Sequence, residues 1–379
     1  MPHAWVEVDL DAIRANVRAL RAALRPSVDF IAVVKGNAYG HGAVETARTV
    51  LDAGATHLGV AFATEGRELR QAGIAAPILV LGSFGEDDVD DILTCSLTPS
   101  VGEVGLGAAL ARAARSRSLT VPVHLEVDTG MGRLGVDWRT AARVVEDLTA
   151  TQGLRLEGIF THFATADEPD HSYTRLQVKR FQQVQDALTA KGIFVPFRHY
   201  SNSAGVLHYP ETVLDAVRPG LAIYGLYPAR GAGPLPRLEP AMAFRSRVAM
   251  VKRLGAGAFV SYGRTFRLPE PRYIATVSVG YADGYPRLLS NRASVSIRES
   301  RYPVVGTVTM DHIMVDLGRE ATPIRCGDRV TLFGRDGSTV IPAEELAELA
   351  GTIHYEITTR ISARAPRIYK GRRAAGGGT

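Results

Sequence analysis

The feature that most limits what this chain can become is an alternation, between about residues 25 and 230, of short β-branched runs with amphipathic helical stretches. The strand-like runs are DFIAVVK, THLGVAF, PILVLG, CSLTPS, VPVHLEVD, RLEGIFTHF, FRHYSNS and AVRPG. Between them lie helical patterns such as AVETARTVLDAG, TEGRELRQAG and LGAALARAARS, often closed by a glycine. The run IAVV at 31–34 is apolar on both faces, as a parallel strand covered by helices requires. Eight such strands predict a TIM-type (β/α)8 barrel; an open doubly wound sheet would give a similar alternation.

After Pro228 the texture changes. RGAGPLPRLEP at 230–240 reads as a linker, rich in Gly and Pro. Beyond it come FRSRVAMVKRL, YIATVSVGYAD, SVSIR, YPVVGTVTMDHIMVDLG and DRVTLFG, strand-like pieces without long helices between them. One helix, PAEELAELAG, interrupts them, and LDAIRANVRALRAAL precedes the barrel. The expected organisation is a barrel over 1–235 and a C-terminal mainly-β domain over 236–379.

Composition narrows the class. With 46% hydrophobic and 22% charged residues the chain reads as globular, and its 379 residues suffice for two cores. The N-terminal MPHAWVEVDLDAIRANV carries acids where a signal peptide needs basic and then apolar residues. No apolar run is long enough for a membrane span. Cys95 and Cys326 are the only cysteines, compatible with a reducing compartment, so the cytoplasm is expected. The net charge of +5 comes from dispersed arginines, with one short basic run at Lys370, Arg372 and Arg373, so neither a nucleic-acid nor a membrane partner is expected.

In a barrel of this type chemistry sits at the carboxyl ends of the strands. Polar residues gather there: Lys35, Asn37 and Tyr39; Asp128 and Arg133; His162; Asn202 and Ser203; Arg218. Singly, each reads as a satisfied loop residue; as a set, they do not. Lys35 directly ends an apolar strand, where partial desolvation can lower its pKa as a Schiff-base lysine requires. A lysine snorkelling to the barrel rim fits the strand equally well.

The motifs resolve that ambiguity. VVKGNAYGHG at 33–42 resembles the cofactor-lysine motif of the alanine racemases, a pyridoxal-phosphate barrel followed by a β-domain. The resemblance continues in order through LEVDTGMGRLG, THFATAD, SNSAG, VRPGLAIYG, VSYG, GYADGYPR and VGTVTMDHIMVDLG. It runs from WVEVDL to RAPRIY, nearly the whole chain.

The resemblance implies a racemase that interconverts L- and D-alanine with Lys35 and Tyr262 as its two bases. Lys35 carries pyridoxal 5'-phosphate, and Tyr262 serves the opposite face of the substrate. His199 matches the histidine that supports this tyrosine, and His162 the one that supports Arg218. Arg218 matches the arginine set against the cofactor's pyridine nitrogen. A guanidinium stays protonated, so it donates to that nitrogen and weakens the ring as an electron sink. That favours simple reprotonation over transamination.

Tyr39, Ser203 and the backbone amides of Gly220 and Leu221 match the phosphate contacts. Arg133 matches the contact to the phenolic oxygen and the substrate carboxylate. Met310 matches a further carboxylate contact, with Asp311 in support. The family's Tyr262 and Met310 positions enter the partner subunit's site, so the resemblance implies a homodimer acting on a small amino acid.

Three positions depart from the family's common pattern. Glu126 stands where many members have a carbamylated lysine that orients the active-site arginine, here Arg133. Ala363 replaces a tyrosine near the phosphate and the substrate methyl, which widens the pocket mouth. Thr307 stands where some members carry an arginine.

Ala363 keeps open a broad-specificity or serine racemase. A decarboxylase of related layout would favour an acid at the pyridine nitrogen, against Arg218. A non-catalytic cofactor-binding barrel would not need the long β-domain, and the scattered histidines give a metal enzyme no HxxxH or CxxC spacing. The sequence does not separate a role in cell-wall synthesis from a catabolic one.

Overall fold

The computed structural model describes residues 2–102, 104–228, 236–321 and 323–372. Most of the expected linker (230–235) and the basic tail from Arg373 onward lie outside those residues. The chain divides into two compact units. One holds residues 11–38 and 43–239; the other holds residues 1–10, 39–42 and 240–372.

The first unit is the eight-stranded parallel barrel. Its strands are Asp29–Val33, His57–Val60, Ile78–Val80, Thr98–Val101, Val121–Asp128, Leu154–Phe160, Phe197–His199 and Ala216–Val217, the first seven paired in that order. Each overlaps one of the eight predicted runs, two of them extending one residue beyond it. Ala216–Val217 turns back to pair with Asp29–Val33. The last gap closes by isolated contacts: Asp215 N donates to Arg198 O at 3.1 Å, Arg218 N donates to Ser201 O at 2.7 Å, and Asn202 bridges Arg218 in parallel. Ile31, Ala32, Val33 and Val34 are all buried, as a strand covered on both faces must be. The outer helices bury one stripe each. In Ala141–Ala150 the buried side chains are Ala141, Val144, Val145 and Leu148, the i, i+3, i+4, i+7 spacing of one helix face. Burying a Val or Leu side chain contributes about 1.5–3 kcal/mol.

The second unit is built on one sheet. Its spine runs in the order Ser300–Pro303, Ser294–Ile297, Arg329–Asp336, Met242–Leu254, Ala4–Asp9, Arg367–Lys370. Arg272–Val277 pairs with both Met242–Leu254 and Ile313–Gly318. The helix Ala343–Ala350 ends on Gly351, whose φ of 70° is the left-handed value a glycine cap supplies. The expected piece YPVVGTVTMDHIMVDLG is two strands; residues 304–312 between them form a turn.

The N-terminal strand departs from the expected 1–235 unit. Ala4–Asp9 pairs antiparallel with Met242–Leu254 and parallel with Arg367–Lys370. Ala4, Val6 and Val8 are buried in that unit's core, and Trp5 and Glu7 on the other face are largely covered as well. A chain-order division misses this because a strand's partners are set by register, not by proximity in sequence. Among the described residues no helix is long and apolar enough to cross a membrane.

Candidate active site

The strand Asp29–Val33 delivers Lys35 into an unusual turn. Gly36, Asn37, Ala38 and Tyr39 are all left-handed, with φ of 62°, 52°, 54° and 52°. Left-handed backbone costs a residue with a Cβ roughly 1–2 kcal/mol, so Asn37, Ala38 and Tyr39 in succession need external support. Ala38 N donates to Val34 O at 2.8 Å. The Glu65 carboxylate accepts from Gly36 N and from Ala61 N, each at 2.7 Å. Asn37 Oδ1 accepts from Ala43 N at 2.7 Å and so caps the helix Ala43–Asp52. Strain of this kind persists only where surrounding structure over-determines it, commonly at a functional site. Here it fixes the direction in which Lys35 leaves the strand.

Burial, and then the nearby Arg133, lower the pKa of Lys35. Glu65 and Glu126 oppose that shift, and Arg218 adds to it. Lys35, Arg133, Arg218 and Glu126 therefore stand close enough to share one field at the strand ends.

Arg218 is sealed in the barrel, and burial holds its pKa down to about 10. Its Nη1 donates to His199 Nδ1 and, at 3.0 Å, to His199 O. Its Nη2 donates to Thr161 O at 2.8 Å and lies 3.4 Å from Tyr200 O and from His162 Nδ1. Among the described residues these bonds leave over one donor, the Nε–H. The guanidinium also lies over the Phe160 ring at 4.9 Å, and that ring stacks on His199.

This geometry revises one expected role. His199 is fully buried, with Nδ1 on Arg218 and Nε2 at 2.8 Å from His124 Nδ1. Both of its nitrogens are engaged, so none is left for Tyr262. His199, rather than His162, is the main imidazole partner of Arg218. Burial pushes both His162 and His199 well below the usual histidine pKa.

Ser203 opens the short helix Ser203–His208, which Asn202 caps by accepting from Gly205 N at 2.9 Å. Ser203 Oγ accepts from Gly220 N at 2.9 Å and from Ala222 N at 3.2 Å. Leu221 lies between those two amides and is buried. The Ser203 hydroxyl and the amides of Gly220 and Ala222, on either side of Leu221, thus converge, as at an anion cradle.

Glu126 and Arg133 line one cavity of about 280 Å³ together with Gly82, Ser83, Ser100 and Gly102. No direct ion pair joins Glu126 to Arg133 among the described residues. Glu126 is buried in its strand, whereas Arg133 is exposed on the loop that follows it. Burial raises the Glu126 pKa against the pull of Arg218 and then Arg133.

The remaining expected residues belong to the second unit. Tyr262 follows Ser261, whose φ is 65°, and the residue is 74% exposed. Thr307 Oγ1 donates to Tyr262 O at 2.8 Å, and Ser261 Oγ donates to Thr307 O at 2.6 Å. Met310 is 53% exposed, and its carbonyl accepts from Ala282 N at 3.1 Å. A Cβ at Gly280 would meet Met310 O at 2.2 Å, so only glycine admits this approach. Asp311 pairs with Arg364 at 2.8 Å, beside the exposed Ala363. Tyr39 packs near Tyr355 with ring centroids 6.2 Å apart, and burial raises its pKa to about 12.

Sequence reasoning missed Glu65, His124 and Glu157. Glu65 carries a faint signal, an acid in the first turn of a helix that follows a strand end. His124 and Glu157 sit inside strands and show none.

Residues 8–228 match the N-terminal domain of alanine racemase, and residues 241–369 match its C-terminal domain. The chain is 48% identical to an alanine racemase of Symbiobacterium thermophilum, over 99% of both chains. The crystal structure of alanine racemase from Bacillus anthracis with bound L-Ala-P is 41% identical, with a TM-score of 0.91, over 98% of this chain and 96% of that one. Alanine racemase from Bartonella henselae, solved with covalently bound pyridoxal phosphate, is 29% identical with a TM-score of 0.87, over 98% of this chain and 100% of that one.

Proposed function

The chain belongs to the alanine racemase family, pyridoxal-phosphate-dependent enzymes that interconvert L- and D-alanine, and we propose that Lys35 and Tyr262 are its two bases. The single observation that carries this reading is Lys35 itself, a desolvated amine aimed by a strained turn at the C-terminal end of a barrel strand.

The residues fit the cofactor. Lys35 offers the amine that links it, Arg218 Nε–H an uncommitted donor for the ring nitrogen, and Ser203 with Gly220 and Leu221 the donors for the phosphate. Pyridoxal phosphate, when bound, supplies the electron sink that acidifies the substrate α-carbon. Arg218 would hold the ring nitrogen by donating to it, which would keep that sink shallow. Arg133 binds the substrate carboxylate, joined by the backbone of Met310. Lys35 Nζ takes or returns a proton on one face of the α-carbon, and Tyr262 Oη does so on the other. One base alone would return the enantiomer it started from.

Glu126 acts as a buried counter-charge to the Arg133, Arg218 and Lys35 cluster rather than as a direct clamp on Arg133. Tyr262 and Met310 are presented outward on one chain. We infer that a two-fold partner covers them, each β-domain completing the other chain's barrel site. The two unpaired cysteines, Cys95 and Cys326, suit a cytoplasmic enzyme.

Tyr262→Phe tests the two-base assignment, because it removes the hydroxyl and keeps the packing. Racemisation is expected to fall by at least about 10²-fold. Exchange of the α-proton with deuterated water is expected to survive better from D-alanine than from L-alanine. Equal residual exchange from both enantiomers would exclude Tyr262 as the second base.

A further inference from the structure

A row of polar side chains, buried as far as His124, leads away from Arg218, and its far end has no part in the roles above. Arg218 Nη1 faces His199 Nδ1, and His199 Nε2 lies 2.8 Å from His124 Nδ1. His124 Nε2 faces the Glu157 carboxylate at 3.7 Å, and Arg155 pairs with Glu157 at 3.0 Å. A guanidinium has donors only, so His199 Nδ1 must accept. His199 then carries its proton on Nε2 and donates it to His124 Nδ1. That puts the proton of His124 on Nε2, pointing at Glu157. Both imidazoles are neutral in this order, in keeping with the burial that lowers both pKa values. A cation ends the row on one side and an anion on the other, and His124, then Arg155, hold the Glu157 pKa down to about 2 against the effect of burial.

The backbone is shaped to admit this row. Val123 pairs with Leu156 and His124 with Gly158, so Glu157 is the extra residue of a bulge. Bulges are rare in parallel pairs and serve to re-aim a side chain. A Cβ at Gly158 would stand 2.6 Å from the His124 ring, so the glycine clears the space the imidazole fills. The His124 ring packs between Phe197 and His199, with centroids 5.5 and 5.0 Å away.

We propose that His124 and Glu157 are positioning residues, which hold the buried Arg218 guanidinium in its orientation through His199. Glu157 faces the Nε2 side of His124 and so favours the tautomer that leaves His124 Nδ1 free to accept from His199. The effect of this row on catalysis rests on the reading of Arg218 as the group set against the cofactor's ring nitrogen.

The test is long-range ¹H–¹⁵N correlation of the histidine rings, recorded on the holoenzyme, alongside steady-state kinetics. Wild type is expected to show both His124 and His199 neutral with the proton on Nε2. Glu157→Gln is expected to shift the ring nitrogens of both histidines. It should lower kcat by about tenfold, the lower end for losing a supporting partner behind a liganding side chain, with KM for alanine nearly unchanged. Arg155→Ala leaves the carboxylate in place and is expected to change neither. A proton on His199 Nδ1 in wild type, or unmoved ring nitrogens in Glu157→Gln, would overturn the proposal. Shifted nitrogens with an unchanged kcat would sustain the row and overturn instead the reading of Arg218.

Discussion

At the scale of single residues, Glu126 shows how a site residue can work against stability. Its carboxylate pKa is raised, chiefly by burial. A group whose folded pKa lies above its unfolded value adds stability at low pH and loses it as pH rises through the folded pKa. Glu126→Gln keeps the shape without the charge, so the variant should gain stability relative to wild type as pH rises above the carboxylate range. Its racemase activity should fall at the same time. Urea unfolding curves in acidic and in neutral buffer, paired with activity, check both signs; a Gln variant that is less stable at neutral pH and fully active would remove Glu126 from this role. Lys35 gives a simpler expectation. Borohydride should fix the cofactor to wild-type protein and not to Lys35→Ala, and mass spectrometry of the reduced protein reads this directly. The same scale shows where sequence reading stops. His162 lies two residues beyond a barrel strand and His199 ends one, in similar local sequence, THF and RHY, so nothing local says which one is the main partner of Arg218. The answer lies in the 2.8 Å contact with His124, a residue 75 positions away.

Among the elements, the turn after Lys35 is the most informative. The motif KGNAYG locates it in the sequence, yet its run of left-handed residues is not legible there, because Ala38 and Tyr39 ordinarily avoid that region. Asn37 is the exception, since it tolerates positive φ and caps the next helix. Asn37→Ala should therefore cost about 1–2 kcal/mol, visible as a lower Tm, and should loosen the aim of Lys35. A Tm equal to wild type would mean that the cap carries no weight. The eight barrel strands were readable because β-branched runs and helical periods recur without interruption. The bulge at Glu157 was not, for a one-residue insertion leaves no mark on a buried strand.

For the whole molecule, the separation into barrel and β-domain is visible in the change of texture near Pro228, but the N-terminal strand is not assignable from chain order. Its register with Met242–Leu254 and Arg367–Lys370 puts the first residues of the chain in the unit that holds the last described ones. The two proposed bases are divided likewise, Lys35 in one unit and Tyr262, outward-facing, in the other. The central claim is that these two residues meet across a dimer, and mixing two dead variants tests it most directly. Lys35→Ala and Tyr262→Phe should each be nearly inactive alone. After the two are unfolded together and refolded at equal concentration, half the dimers are hybrids, and each hybrid holds one site with both bases intact. Activity should return to about a quarter of the wild-type value. A mixture no more active than its parents would show that both bases come from one chain, and would contradict the shared site.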